Sequence, residues 1–194
     1  MFPLNVPNVL TLVRILLVPV LVVALLQTAP HASPVAAIVF AVAAITDGVD
    51  GWIARRRRSV TTFGKVMDPI ADKLLIAAAL ISLVSLDRVD AWVAMVIIAR
   101  EFAVSGLRAA AGQQGAIIPA NRLGKAKTVL QVAMVLALIA AQDPHAVWVH
   151  LLVYASVAVT LASGASYFLN FRRSIDEARE RLAAKGPPEP RAAP

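Results

Sequence analysis

Six apolar runs account for most of this chain, at about 9–29, 34–54, 66–86, 91–111, 123–141 and 146–170, with short polar connections between them. Each is close to the ~20 residues that a helix needs to cross the hydrocarbon core of a bilayer. In lipid the backbone must satisfy its own hydrogen bonds, which favours helices for runs of this kind. With 59% hydrophobic and 16% charged residues in 194, and a mean hydropathy of +0.72, the composition lies far from that of a soluble domain. The expected fold class is therefore all-α, a polytopic membrane protein with six transmembrane helices. Residues 1–173 are expected to form one transmembrane unit. The tail, 174–194, is charged and then rich in Pro, Gly and Ala (Gly186-Pro187-Pro188-Glu189-Pro190). It reads as a short surface helix fading into disorder. The absence of cysteine excludes disulfides and Cys-ligated zinc or iron–sulfur sites.

The formal net charge is +7, and the charge is clustered. The connections around 27–33, 87–90 and 142–145 carry little positive charge. The other side carries Arg55 to Arg58, Lys65, Arg122, Lys125, Lys127, Arg172 and Arg173. By the positive-inside rule both termini are cytoplasmic, in a cell (inner) membrane, and anionic lipid headgroups account for the basic excess. No basic, aromatic-interleaved soluble domain is present, so nucleic acid is not an expected partner. A competing reading takes Arg14, the apolar stretch after it and the small residues near Ala32 as a signal peptide. Against it, the run from Val9 is long enough to span.

Acidic residues interrupt the second and third runs: Asp47-x-x-Asp50-Gly51-x-x-Ala54-Arg55, then Gly64-x-x-x-Asp68-x-x-x-Asp72. Carboxylates are costly in a bilayer, so they mark function. Positions 47, 50, 51, 54 and 55 share one helical face, and 64, 68 and 72 form a second stripe. Two such helices facing each other would gather four carboxylates, an arrangement that a multivalent cation makes tolerable. Hard oxygen ligands select Mg²⁺ or Mn²⁺. Two such ions bridging a diphosphate would stabilise an in-line displacement at phosphorus. Gly51 and Gly64 permit close approach of a ligand, Ala54 keeps the face shallow, and Arg55 suits phosphate oxygens. Pro69 is accommodated in the first turns if its helix begins near 61–64. The alternative makes Asp68 the N-cap, its carboxylate partly used on backbone N–H groups. The first is favoured because it keeps Asp68 and Asp72 on the stripe. The plainer alternative is that these acids form interfacial salt bridges with Arg55 to Arg58, Lys65 and Lys73.

The whole pattern resembles the signature of the CDP-alcohol phosphotransferase family, integral membrane enzymes of phospholipid synthesis. All eight signature residues stand at the family spacing: Asp47, Asp50, Gly51, Ala54, Arg55, Gly64, Asp68 and Asp72. The resemblance implies six transmembrane helices, a divalent-metal site, a CDP-linked donor from which CMP leaves, and a homodimer. It makes Asp47, Asp50 and Asp68 metal ligands, and Asp72 the general base, also in reach of a metal. It places Gly51 and Arg55 at the CMP and diphosphate site, with Ala54 and Gly64 on the same donor-binding faces, where Thr61 would add a hydroxyl.

Three further clusters bear on the acceptor. Asn8-x-Leu10-Thr11-x-x-Arg14 puts polar residues on one face of the first run, with Asn8 and Thr11 assigned to the donor. Arg100-Glu101-Phe102-x-x-Ser105-Gly106-x-Arg108 lies in the fourth run, and Gly124-Lys125-x-Lys127-Thr128-x-x-Gln131 opens the fifth. Arg100, Arg108, Lys125 and Lys127 are expected to hold an anionic acceptor. Arg14 as an interfacial anchor, and Lys125 and Lys127 as an ordinary basic flank, are the plainer readings. All three clusters resemble the phosphatidylglycerophosphate synthase branch, whose acceptor is sn-glycerol 3-phosphate and whose donor is CDP-diacylglycerol. Inositol phosphate as acceptor, or phosphatidylglycerol to make cardiolipin, are alternatives within the family. A divalent-cation transporter is the alternative outside it. The resemblance spans about 5–170, and the last run adds little to it.

Overall fold

The computed structural model describes residues 6–27, 33–57, 62–113 and 122–184; within these, the side chains of 6–8, 10, 47–57, 62–69, 72, 122, 123 and 173–184 lie outside the description. The described chain is all-helical, with six helices and no strand among the described residues: α1 (Val6–Gln27), α2 (Pro34–Arg57), α3 (Thr62–Ser85), α4 (Ala91–Gln113), α5 (Arg122–Ala140) and α6 (Val147–Ala184). Each matches one expected apolar run to within a few residues at its start. The sixth continues past the expected boundary at 173 as one helix to Ala184.

Local chemistry explains several helix ends. Ser33 is the N-cap of α2, its Oγ accepting from Ala36 N at 3.1 Å, with Pro34 filling the first helical position, where no N–H is needed. α3 ends in a Schellman turn. Asp87 adopts φ 53°, Arg88 N donates to Leu83 O at 2.9 Å, and Asp87 N donates to Val84 O at 3.1 Å. The buried Arg88 side chain then closes the end of α5. Its Nε donates to Leu138 O at 2.7 Å, and its Nη2 donates to Ala141 O. A cation at helix-terminal carbonyls complements the negative end of the helix dipole. As expected from the stripe shared by Asp68 and Asp72, α3 begins at Thr62, so Asp68 is not its N-cap.

α1 packs against α2 and α3, the two helices bearing the acidic pairs; α6 packs against α4 and α5; α3 meets α4, and α2 meets α5. The connections are short, which favours consecutive helices that alternate in direction. The starts of α1, α3 and α5 and the ends of α2, α4 and α6 therefore share one end of the bundle. The main apolar core among the described residues holds Leu21, Phe40, Leu80, Leu83, Ile97, Met134 and Leu138, and a smaller one gathers Val104, Ala111 and Tyr167. The outside is apolar too: Leu16, Ile38, Ile45, Met95, Val129, Leu151 and Phe168 are all exposed. So broad an apolar exterior suits lipid rather than water. Among the described residues, Val147–Arg172 is long and apolar enough to cross a bilayer, with mean hydropathy 1.6; shorter apolar stretches occur at Thr11–Gln27, Pro34–Thr46 and Lys73–Ser85.

Candidate active site

A polar cluster joins α4, α5 and α6 inside this apolar surround. Glu101 of α4 is its hub. Its Oε1 pairs with Lys127 Nζ of α5 and lies 3.3 Å from Nη1 of its neighbour Arg100. All three side chains are about nine-tenths buried. One carboxylate held between two cations leaves the group with a net positive charge. Arg100 also reaches α6, where its Nη2 donates to Ser163 Oγ at 2.6 Å. The guanidinium carbons of Arg100 and Arg108 each lie 5.7 Å from the centroid of the buried Tyr167 ring, within cation–π range. Gly164 lets the Arg100 stem lie on α6, since a Cβ there would stand 3.2 Å from Arg100 Cγ, tighter than ordinary contact.

Beside this cluster is a cleft. Ala44 of α2, Lys73 of α3, Glu101 of α4, and Lys127, Thr128 and Gln131 of α5 line it. Ala44 stands three residues before Asp47, and Lys73 follows Asp72. The cleft thus borders the acidic motif on both of its helices. Gln131 is 2% exposed, and its Nε2 has no hydrogen-bond partner among the described residues.

Asp47, Asp50, Gly51, Ala54 and Arg55 are on α2, and Gly64, Asp68 and Asp72 on α3; their side chains lie outside the described residues, as does Thr61 altogether. Asp47 stands about 15 Å along α2 from its end at Arg57, at ~1.5 Å per residue. The motif therefore runs into the bundle rather than sitting at the helix tips. No group of three His, Asp or Glu side chains comes together among the described residues. The four aspartates are outside that set. As a donor set they offer only hard oxygens, the chemistry that Mg²⁺ or Mn²⁺ requires.

Asn8 is in the first turn of α1, its side chain undescribed. Thr11 and Arg14 are 1% exposed, inside the bundle rather than at its surface, and neither lacks a partner. Arg14 is therefore not a surface anchor. Of the four expected acceptor-binding cations, Arg100 and Lys127 meet on Glu101, and Arg108 joins Arg100 at Tyr167. Lys125 is exposed and outside the cluster. The sequence reading missed the contribution of α6. Ser163, Gly164 and Tyr167 are polar or small positions on one face of an otherwise apolar run, and that spacing was the available signal. Glu101 and Gln131 were noted without a role.

Known proteins resemble the chain over most of its length. The CDP-alcohol phosphatidyltransferase family matches residues 4–162. A CDP-diacylglycerol–glycerol-3-phosphate 3-phosphatidyltransferase of Bacillus subtilis (strain 168) is 42% identical over 180 residues, covering 84% of this chain and 93% of the relative. A protein of the same description from Rickettsia felis is 38% identical over 169 residues, with 84% and 93% covered. A probable phosphatidylglycerophosphate synthase of Mycobacterium tuberculosis (strain H37Rv) is 39% identical over 180 residues, with 91% and 86% covered. The family match runs through both acidic helices and the α4 and α5 members of the cluster, ending just before Ser163 of α6, and on it the chain belongs to the CDP-alcohol phosphatidyltransferase family.

Proposed function

We propose that this chain transfers the phosphatidyl group of CDP-diacylglycerol to sn-glycerol 3-phosphate, giving phosphatidylglycerophosphate and CMP. The observation that carries the reading is the cleft between the two acidic helices and the cationic cluster. It puts room for a small polar acceptor directly beside the motif, with Lys73 and Lys127 on its walls. The names of the relatives point to the same two substrates.

Six helices crossing the membrane, with both termini and the open end of the cleft cytoplasmic, fit this chemistry. The donor's acyl chains stay in lipid while the soluble acceptor enters from the cytoplasm. A homodimer belongs to the same proposal.

Asp47, Asp50, Asp68 and Asp72 would hold Mg²⁺ or Mn²⁺, two ions in our reading, which when bound would neutralise the diphosphate and favour departure of CMP. The protein's own groups do the rest. Asp72 takes the proton of the acceptor's primary hydroxyl. The freed oxygen attacks the phosphorus bearing diacylglycerol, a new P–O bond forms, and the P–O bond to CMP breaks. Arg55 would supply a charged fork to the diphosphate oxygens, while Gly51, Ala54 and Gly64 would leave room for the nucleotide. Asn8, Thr11 and Thr61 complete the donor side. Arg100 is held on three sides by Glu101, Ser163 and Tyr167. The acceptor's phosphate then falls to Arg108, Lys125 and the remaining donors of Lys127, with Arg100 keeping them in place.

The test is CMP release from CDP-diacylglycerol by purified protein with Mg²⁺ and one acceptor at a time. Rapid release is expected with sn-glycerol 3-phosphate. Faster release with inositol phosphate or phosphatidylglycerol would overturn the assignment.

A further inference from the structure

The unpartnered amide of Gln131 carries an inference that rests on the reaction just proposed and goes beyond it. Gln131 lies one turn after Lys127 on α5, on the face turned to the cleft. It is only 2% exposed, and a buried donor without a partner is costly in a medium of low dielectric. The second observation concerns Glu101. Lys127 and Arg100 both pair with its Oε1, so Oε2 is used by no ion pair among the described residues. The cleft thus presents a neutral donor and a carboxylate acceptor together. A phosphate bears only acceptors and would face the Glu101 charge. A hydroxyl can accept from the amide and donate to the carboxylate at the same time.

We propose that Gln131 and Glu101 together read the acceptor's secondary hydroxyl, making Gln131 a specificity-determining residue. In sn-glycerol 3-phosphate that hydroxyl is on the carbon next to the one that reacts. Holding it fixes the direction of the primary hydroxyl towards Asp72, whose neighbour Lys73 lines the same cleft.

The experiment compares sn-glycerol 3-phosphate with 3-hydroxypropyl phosphate, which has the same chain and phosphate but no secondary hydroxyl. CMP release from CDP-diacylglycerol gives kcat/KM for each acceptor in wild type, in Gln131→Leu and in Gln131→Met. Thermal melts in detergent accompany the assays. Wild type should favour sn-glycerol 3-phosphate by about 10-fold or more, because the analogue leaves buried groups unpaired. In either variant that folds, the ratio should fall to within about twofold of one. A ratio that stays at its wild-type value, even if both rates drop, would overturn the proposal and make Gln131 a packing residue. A wild-type ratio already near one would also overturn it, while leaving the reaction intact. A wild type that releases CMP with neither acceptor would sink the proposed reaction and this inference with it.

Discussion

Glu101 has two cations to satisfy, and that inequality governs what substitutions around it should do. Glu101→Gln leaves Lys127 and Arg100 facing each other without their anion. Removing one partner of a buried ion pair costs about 3–5 kcal/mol, so the variant should melt well below wild type in detergent, and Lys127→Met added to it should restore part of the loss. Non-additivity in that double-mutant cycle is the measured quantity. Arg100 and Arg108 should part company. Arg108→Gln should raise the KM for sn-glycerol 3-phosphate, lowering kcat/KM by roughly 10- to 150-fold for loss of one charge-assisted contact, and spare plain glycerol. Arg100→Gln, which breaks the tie to Ser163, should weaken activity towards both acceptors alike. A selective effect of Arg100→Gln would return it to direct phosphate contact. Both arginines were legible in the sequence as charges inside an apolar run. Their different partners were not, because the Ser163 hydroxyl sits 63 positions away and only the packing of α4 on α6 brings it near.

Helices are the elements that the sequence states most plainly. Six apolar runs of membrane length left little choice, and the stripe shared by Asp68 and Asp72 favoured a start of α3 before Pro69, where it does begin. Pairing was less legible. Apolar runs are interchangeable as packing surfaces, so the neighbours of α1 and α6 were hidden, and only the polar and small positions of each run hinted that it faces the site. The functional stripes on α2 and α3 make their own prediction. Asp72→Asn keeps the shape of the α3 stripe and removes the proposed base. It should retain donor binding while turnover falls about 10²–10⁴-fold, the usual size of a lost general base. Retention of more than about a tenth of the wild-type rate, against that range, would take Asp72 out of the role. At the opposite end of the bundle Arg88 binds the α3–α4 turn to the last carbonyls of α5. Arg88→Met should lower the melting temperature, because hydrogen bonds from a charged group are worth about 1.5–3 kcal/mol. The KM for each substrate should be untouched. A change in KM would mean that the far end of the bundle reaches the cleft.

For the molecule as a whole, the proposed orientation rests on alternating helices and the distribution of charge. In this cysteine-free chain, single cysteines at Ser59 and Ala184 should react with an impermeant thiol reagent only from the cytoplasmic side, and one at Asp143 only from outside. Labelling of Ser59→Cys from outside would place the acidic motif away from its soluble substrate. The Arg100–Glu101 contact has a consequence for how such a molecule is made. The two charges are neighbours on a single helix and 3.3 Å apart. A lone charge at the centre of a spanning helix raises the cost of insertion by about 2.5–3.5 kcal/mol on translocon scales. By neutralising each other within α4, the two can enter the bilayer as a pair during synthesis, before the ribosome has delivered Lys127 or Ser163. In the proposed six-span arrangement α4 would carry into the membrane, already assembled, the anchor on which its later-made neighbours dock.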